Sequence, residues 1–265
     1  MDLIHIVVLA MIQGLTEFLP VSSSAHLILV PQLLGWPDQG QAFDVAVHVG
    51  TLAAVVGYFH RDLLNMARDW TRSLATRQPV GSSQLAWAVI WGTVPAGIIG
   101  LALSDIVGAY LRSPLVIAAA TVVFGLLLWW VSRTFVGTRT ADELTWRDIA
   151  VVGFMQAIAL IPGTSRSGIT ITAGMMMGLT PRAAARFSFL LSVPLIAAAG
   201  GLHILSLVQA GESADWGAIG AGALVAAVSA VACIHGFLIL LERVGMMPFI
   251  IYRMALGAFL VYLFV

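Results

Sequence analysis

The sequence predicts an all-α, polytopic membrane protein: an inverted-topology repeat with two re-entrant helical hairpins and about six full transmembrane helices. The first observation is composition, because 60% of the 265 residues are hydrophobic and only 10% are charged. A soluble domain is about half apolar and a quarter charged, so this chain has too few polar side chains to cover a water-facing surface. The second observation is a pair of Ser-rich polar segments, around Ser23 and Ser165, that interrupt apolar sequence.

Six apolar segments are each close to the roughly 20 residues that a helix needs to cross a bilayer. Because a helix satisfies its own backbone hydrogen bonds in lipid, each segment is predicted to be a transmembrane helix. The predicted spans are 43–60, 85–103, 114–132, 187–208, 217–241 and 248–265. Polar connections, among them 61–84, 104–113 and 209–216, separate the spans. Charged residues recur among apolar ones between Arg61 and Leu74, which predicts a short amphipathic helix at the membrane interface.

Two further stretches, 3–34 and 149–179, are apolar but carry a polar break in the middle. The break contains Pro20 and three serines in the first stretch, and Pro162 followed by Gly163 in the second. Non-helical backbone at membrane depth is tolerated only where it is buried in protein or lines a wet cavity. Each stretch is therefore predicted to form two half-helices, a re-entrant hairpin that returns to its own side of the membrane.

The two stretches resemble each other in sequence. Gln13 and Gln156 are 143 residues apart, whereas Ser23 and Ser165 are 142 apart, so one residue has been gained or lost between these positions. The predicted units are repeat one, 1–132, and repeat two, 149–265, within a single membrane domain, 1–265. Because three spans separate the hairpins, they enter from opposite faces, and a site is expected near the midplane where they meet.

The basic residues, all 13 of which are arginine, indicate the orientation. The predicted topology places Arg112 alone on one side, and the positive-inside rule makes the other, Arg-rich side cytoplasmic. The arginines on that side are Arg61, Arg68, Arg72, Arg77, Arg133, Arg139, Arg147 and Arg243. The first hairpin then opens to the periplasmic or extracellular side. A net charge of zero argues against nucleic acid binding, and the single cysteine, Cys233, excludes an internal disulfide.

The first break is predicted to hold catalytic side chains. Gln13 and Glu17 are one helical turn apart and share a face, and a carboxylate in an apolar segment is expensive and usually functional. The hydroxyl side chains that follow are Ser22, Ser23 and Ser24. His26 lies three residues after Ser23 and can reach the same cavity. The structural alternatives are a Glu17 that is hydrogen-bonded within the bundle and a His26 that only packs.

The second break is predicted to bind phosphate. Arg166 follows a Pro-Gly pair and precedes a half-helix, and a helix N-terminus with a glycine and an arginine makes an anion site. The guanidinium offers a planar fork that matches phosphate oxygens. The hydroxyl donors around it are Ser165, Ser167 and Thr170. The structural alternative is an ion pair between Arg166 and a carboxylate, Glu17 or Asp44.

Both breaks carry motifs that resemble the signatures of one family. Residues 13–26, Gln-Gly-Leu-Thr-Glu-Phe-Leu-Pro-Val-Ser-Ser-Ser-Ala-His, look like the Glu/Gln-x-x-x-Glu signature with its trailing serine and histidine. Residues 162–170, Pro-Gly-Thr-Ser-Arg-Ser-Gly-Ile-Thr, look like the Pro-Gly-x-Ser-Arg-Ser-x-x-Thr signature. The chain is similar over its whole length to the undecaprenyl-diphosphate phosphatases of the bacitracin-resistance type.

The resemblance implies a hydrolase of the bacterial inner membrane that converts undecaprenyl diphosphate to undecaprenyl phosphate and phosphate. That reaction recycles the lipid carrier of peptidoglycan synthesis and confers bacitracin resistance. The family uses a divalent cation, Mg²⁺ or Ca²⁺, and many members have glutamate at the position of Gln13, so the metal role falls on Glu17. The predicted catalytic residues are Glu17, Ser23, His26 and Arg166, and the predicted substrate-binding residues are Gln13, Ser22, Ser24, Ser165, Ser167 and Thr170.

Three mechanisms stay open at this stage. Ser23 is the preferred nucleophile with His26 or Glu17 as its base, and the alternatives are direct attack by His26 and attack by metal-activated water. Asp44 and His48, one turn apart, are expected to support the site. A rival function is a lipid-carrier flippase or transporter, because broken helices in inverted repeats are also typical of transporters. An intramembrane serine protease is disfavoured because it has no use for a phosphate clamp, and a homodimer is considered as the oligomer.

Overall fold

The chain folds into helices, as predicted. The computed structural model describes residues 1–210 and 215–265, with side chains described outside 104–106, 108–109 and 206–210, and these ranges contain no strand. The helices are α1 (Leu3–Thr16), α2 (Ser23–Leu34), α3 (Gly40–Tyr58), α4 (His60–Thr76), α5 (Ser83–Tyr110), α6 (Pro114–Thr134), α7 (Trp146–Ile158), α8 (Arg166–Met176), α9 (Pro181–Ala210), α10 (Trp216–Val244) and α11 (Met247–Phe264). A single 3-10 turn, Ala141–Glu143, precedes α7.

Six of the described helices are long and apolar enough to cross a membrane, which confirms the predicted multi-pass organisation. They are α3, α5, α6, α9, α10 and α11. Helix α9 begins at Pro181, six residues before the predicted span, because the Thr180 side chain accepts a hydrogen bond from the Ala183 N–H and caps the first turn. Helix α5 continues to Tyr110, through most of the predicted connection 104–113. The predicted connection 209–216 lies partly outside the described residues.

The predicted amphipathic helix is α4. Its buried side faces the core through Met66 and Ser73, while its other positions are mostly exposed. An ion pair of 2.5 Å between Asp62 and Arg186 joins the start of α4 to α9. The helix is confirmed by these contacts, and its location at a membrane interface stays a prediction.

The two stretches with polar breaks each form a pair of short helices, α1 with α2 and α7 with α8. The chain leaves the helical pattern over 17–22 in the first pair and over 159–165 in the second. The residue before each second helix has left-handed backbone, with φ of 73° at Ser22 and 71° at Ser165. These two serines are 143 residues apart, the same offset as the two glutamines upstream. The structural counterpart of Ser165 is therefore Ser22 and not Ser23.

Each pair packs against a helix from the other half of the chain. Helix α1 lies against α10, and α7 lies against α5. In the same way α3 packs on α10, α9 packs on α5, and the contacts α3–α9 and α6–α11 join like positions of the two halves. This exchanged packing is the pattern that an inverted repeat would produce; the repeat and the re-entrant course of the pairs stay predictions. The packing brings the two breaks into contact in the interior.

Candidate active site

The two breaks are hydrogen-bonded to each other. The Ser22 hydroxyl accepts a bond of 3.2 Å from the Gly163 N–H. In the opposite direction, the hydroxyls of Ser165 and Ser167 donate to the Leu19 carbonyl at 3.4 and 2.7 Å. Each break therefore satisfies polar backbone groups of the other.

Gly163 is required where the second break passes helix α6. Its φ is +93°, and a Cβ added there would lie 2.4 Å from the Ile117 carbonyl oxygen. Both the left-handed backbone and the close approach exclude a larger residue without movement of α6. The Pro-Gly pair thus serves the contact between the break and the bundle.

Arg253 binds the carbonyl groups of both breaks. This side chain of α11 is 1% exposed and donates to the carbonyls of Pro20 at 3.1 Å, Thr164 at 3.0 Å and Gly163 at 2.9 Å. It also donates to two carbonyls of α6 at 3.1 and 3.4 Å. Arg253 lies in neither motif and has no predicted role, although a lone arginine inside the span 248–265 is a signal of an internal polar partner.

Glu17 is the centre of the polar contacts at the breaks. Its Oε1 pairs with the Arg166 guanidinium at 2.8 Å, in an ion pair whose side chains are only 7% and 12% exposed. Its Oε2 accepts from the Ser23 hydroxyl at 2.6 Å and from the Gln13 amide at 3.0 Å. The His48 Nε2 lies 3.8 Å from the same oxygen. The structure thus joins the predicted carboxylate, hydroxyl and guanidinium, and the predicted ion-pair alternative for Arg166 is present.

A cavity of about 320 Å³ opens on this cluster. The polar residues that line it are Glu17, Ser22, Ser23, Ser24, Asp44, His48, Ser165, Arg166 and His203. An apolar wall faces them, made by α9 through Leu195, Ile196 and Ala199. Helix α2 has no side-chain cap because Ser22 bonds to the other break instead, so the N-terminus of α2 adds a positive dipole end at the cavity.

Four predicted site residues do not line the cavity. Gln13 and Ser167 are fully buried behind it, and Gln13 reaches the site only through Glu17. Thr170 donates to the Arg166 carbonyl at 2.8 Å and lies 2.7 Å from the Ser188 hydroxyl, on the far side of α8. His26 donates from Nδ1 to the Ser22 carbonyl, and its Nε2 is 2.6 Å from the Tyr252 hydroxyl.

Asp44 and His48 lie on the cavity wall opposite α8, one turn apart on α3. The His48 Nδ1–H donates to the Asp44 carbonyl at 2.7 Å, which turns Nε2 toward Glu17. The Asp44 carboxylate accepts a bond of 2.8 Å from the Gln39 amide. Of the two histidines named from the sequence, the structure therefore directs His48, not His26, toward the carboxylate.

The donor set at the cavity does not fit a divalent cation held by protein ligands alone. Among the described residues, no group of three His, Cys, Asp or Glu side chains could hold a metal ion. Glu17 already receives a guanidinium, a hydroxyl and an amide, and Gln13 supplies an amide N–H where a second carboxylate would offer an oxygen ligand. Mg²⁺ prefers several oxygen ligands, and this cluster offers the Glu17 carboxylate and the buried Gln13 Oε1, which has no hydrogen-bond partner in the described part of the chain.

These features define a class of protein. A serine hydroxyl bonded to a buried carboxylate has the geometry of a nucleophile with its base, and a guanidinium near helix N-termini has the charge to attract an anion. The protein is a multi-pass membrane protein with this set of groups in an interior cavity that has one apolar wall. Such an arrangement suits group transfer on an amphipathic anion.

Comparison with known proteins gives the family. The family described as bacitracin resistance protein BacA matches residues 6–259, and the chain belongs to this family. Undecaprenyl-diphosphatase 2 of Stutzerimonas stutzeri is 61% identical, with 100% of this chain and 99% of the relative covered. The undecaprenyl-diphosphatases of Nitrosococcus oceani and Thioalkalivibrio sulfidiphilus are each 58% identical, with both chains covered in full.

Proposed function

We propose that the protein hydrolyses undecaprenyl diphosphate to undecaprenyl phosphate and phosphate, the activity in its relatives' names. The observation that carries the proposal is Glu17, which pairs with Ser23 through one oxygen and with Arg166 through the other. One carboxylate thereby links a nucleophile to a phosphate-binding cation. In the cell this reaction would return the lipid carrier to peptidoglycan synthesis and confer bacitracin resistance.

Diphosphate binding begins with an exchange of partners at Arg166. The guanidinium leaves Glu17 and binds phosphate oxygens instead. Its second bond, of 3.0 Å to the Ser188 carbonyl, keeps the guanidinium at the cavity during this exchange. The uncapped N-terminus of α2 offers backbone N–H groups to the same phosphate. Release of Glu17 from Arg166 makes its carboxylate a stronger base at the moment that substrate arrives.

Ser23 is the proposed nucleophile and Glu17 its base. The hydroxyl proton passes to Glu17 Oε2, 2.6 Å away, as Oγ attacks the terminal phosphorus and undecaprenyl phosphate leaves. Water then hydrolyses the phosphoserine and releases phosphate. His26 is disfavoured as nucleophile because its ring faces Tyr252 and lies outside the cavity lining. Arg166 offsets the charge on the transferred group throughout.

The apolar wall supports a lipid substrate. Leu195, Ile196 and Ala199 of α9 line the cavity across from Ser23. An isoprenoid chain laid on this wall would leave the diphosphate toward the breaks and the tail toward the bilayer. A cavity with one charged side and one apolar side suits an amphipathic substrate such as a lipid diphosphate.

We also propose that the divalent cation, Mg²⁺ or Ca²⁺, arrives bound to the diphosphate, since the protein offers it few ligands. Removal by a chelator and restoration with each cation test the dependence. Activity that is unchanged in the chelator would exclude the cation requirement.

The proposed location is the bacterial plasma membrane, with the cavity open to the periplasmic side. Labelling of single cysteines from each face tests this orientation. A homodimer stays a prediction that mass measurement in detergent tests.

The decisive experiment uses purified protein in detergent with undecaprenyl diphosphate labelled in its terminal phosphate. Phosphate release without any sealed compartment supports the phosphatase, whereas lipid transfer across vesicles with no release would support the flippase. Ser23→Ala should lower kcat by roughly 10³-fold or more, as loss of a serine nucleophile does in other enzymes. Ser132→Ala, on α6 and outside the cavity lining, is the control and should retain most activity. A near-normal rate in Ser23→Ala would exclude the serine mechanism.

A further inference from the structure

A second cavity, of about 390 Å³, lies between the end of α4, the start of α5 and the start of α7. It shares no lining residue with the cavity at the breaks. We name it the α4–α7 cavity and define it by Arg77, Gln78, Gln84, Trp87, Trp146 and Ile149. The proposed phosphatase mechanism makes no use of it.

The polar part of the α4–α7 cavity carries one positive charge without a counterion. Arg77 has no carboxylate within ion-pair distance among the described residues, and the cavity lining contains no acidic side chain. The nearby carboxylate of Asp69 is bonded to the Ser82 N–H at 2.9 Å. Arg77 also has a left-handed backbone, with φ of 55°, a costly conformation for a residue with a side chain. The polar end of the α4–α7 cavity therefore presents a positive charge that an anion would neutralise.

The other part of the cavity is aromatic and continues onto an apolar surface. Trp87 and Ile149 form its inner wall, and Trp146 is 65% exposed at its mouth. From there the exposed side chains of α5, including Trp91 and Ile98, run along the helix. Indole rings with a cationic neighbour are typical of the boundary between lipid headgroups and acyl chains.

We infer that the α4–α7 cavity binds one anionic phospholipid. Its phosphate pairs with Arg77 and accepts from Gln78, while the Gln84 amide, which donates to the Leu144 carbonyl, lines the same side. The glycerol lies between Trp87 and Trp146, and an acyl chain follows the exposed face of α5. Free phosphate would leave the aromatic wall unused, and a zwitterionic lipid would bring a second cation next to Arg77. This inference is independent of the phosphatase proposal.

The test uses the full-length protein in nanodiscs with brominated phosphatidylglycerol or brominated phosphatidylcholine, read by quenching of tryptophan fluorescence. We expect phosphatidylglycerol to be preferred about fivefold at the cavity, the contribution of one arginine near a lipid surface. Trp146→Phe should reduce the part of the signal that differs between the two lipids, and Trp87→Phe combined with Trp146→Phe should remove it. Arg77→Gln should abolish the preference, whereas Arg68→Gln, on α4 but outside the cavity lining, should keep it.

Three results would overturn the inference. They are equal quenching by the two lipids in the unmodified protein, a preference that survives Arg77→Gln, and displacement of the lipid by millimolar inorganic phosphate. The last result would reassign the cavity to a free anion. Circular dichroism of Arg77→Gln and its phosphatase rate, both expected to be unchanged, show that the variant is folded.

Discussion

The two helix breaks share one backbone conformation but have different proposed chemical roles. Each places a serine with φ near 70° in front of a short helix. In the second break the Ser165 hydroxyl accepts from the Gly168 N–H and caps its own helix. In the first break the Ser22 hydroxyl accepts from Gly163 across the interface, and α2 stays uncapped.

The first residue of each following helix shows the difference most clearly. It is Ser23 in α2 and Arg166 in α8, and both side chains reach Glu17. Equivalent backbone positions thus hold the proposed nucleophile and the proposed phosphate-binding cation. The two turns have the same backbone conformation, and the residue that follows each serine distinguishes their proposed functions.

A second difference lies where each pair begins. Helix α7 starts with a capping box in which Thr145 and Asp148 bond to each other's backbone, and Arg139 pairs with Asp148 at 2.6 Å. Helix α1 starts after Asp2, whose side chain makes no cap bond, and its first turn is exposed at Leu3. The start of α7 therefore has a capping box and an ion pair, and the start of α1 has no side-chain cap.

The largest expected effect comes from Arg166→Ala. The variant loses the phosphate clamp and leaves Glu17 without its counterion, so kcat/KM should fall by about 10³-fold or more. Arg166→Lys keeps the charge but not the bidentate fork and should recover only part of the loss. Phosphate release in detergent is the measurement. The control is Arg182→Ala, which removes an exposed ion pair with Glu242 and should leave the rate unchanged. Normal turnover in Arg166→Ala would contradict the assignment.

Arg253→Met should affect both breaks at once. The substitution keeps the volume but leaves carbonyls of Pro20, Gly163 and Thr164 without their donor, at about 1–3 kcal/mol for each group that finds no other partner. We expect a lower Tm and a kcat reduced by roughly 10–100-fold with little change in KM, because misplacement of reacting groups is costly.

Arg253→Lys separates positioning from folding, since an ammonium donates at most three bonds. A partial recovery of kcat is expected. A variant Arg253→Met with a lower Tm but an unchanged kcat would show that Arg253 serves the fold alone.

The sequence was sufficient for features that depend on residue type and short spacing. Six apolar spans and two polar breaks predicted the helices, and a carboxylate, a serine and an arginine at those breaks predicted their meeting. It was insufficient where side-chain direction decides. The three-residue spacing from Ser23 to His26 predicts that both side chains can reach one cavity. The side chain of His26 instead contacts Tyr252 of α11, which the spacing cannot predict. A run of three serines also hid that Ser22, not Ser23, is the counterpart of Ser165. The partners of Arg253 are distant in sequence and are all backbone, so no motif reports them.

A matched pair of substitutions tests whether the two left-handed serines differ as described. Glycine relieves the φ strain at either site by about 1 kcal/mol. At Ser165 it removes an N-cap bond and the 3.4 Å bond to the Leu19 carbonyl, which keeps Ser167 as its donor. Serine-to-glycine at an N-cap costs only a few tenths of a kcal/mol, so Ser165→Gly should be close to neutral. At Ser22 it leaves the buried Gly163 N–H unsatisfied, at about 1–3 kcal/mol, so Ser22→Gly should be destabilising. Equal Tm changes in the two variants would contradict the comparison.

The smallest effect is expected at the anchored start of α7. Burial works to raise the pKa of the Asp148 carboxyl, but the bonds from Arg139 and Thr145 outweigh burial and hold this pKa below its usual value. A lowered folded pKa contributes stability above the unfolded value of about 3.9, and that stability is lost as pH falls through the folded pKa. Asp148→Asn should cost about 1 kcal/mol at pH 7, since Arg139 is one third exposed, with an unchanged phosphatase rate.

The pH dependence of Tm distinguishes this ion pair from a simple cap. The difference in Tm between the unmodified protein and Asp148→Asn should be constant from pH 7 to about pH 5 and should close below about pH 4, as Asp148 is protonated. Asp142→Asn, an exposed neighbour, should show almost no difference at any pH. A difference for Asp148→Asn that persists at low pH would mean that Asp148 stabilises α7 through its cap bonds alone. The ion pair with Arg139 would then contribute nothing to the difference between the starts of α1 and α7.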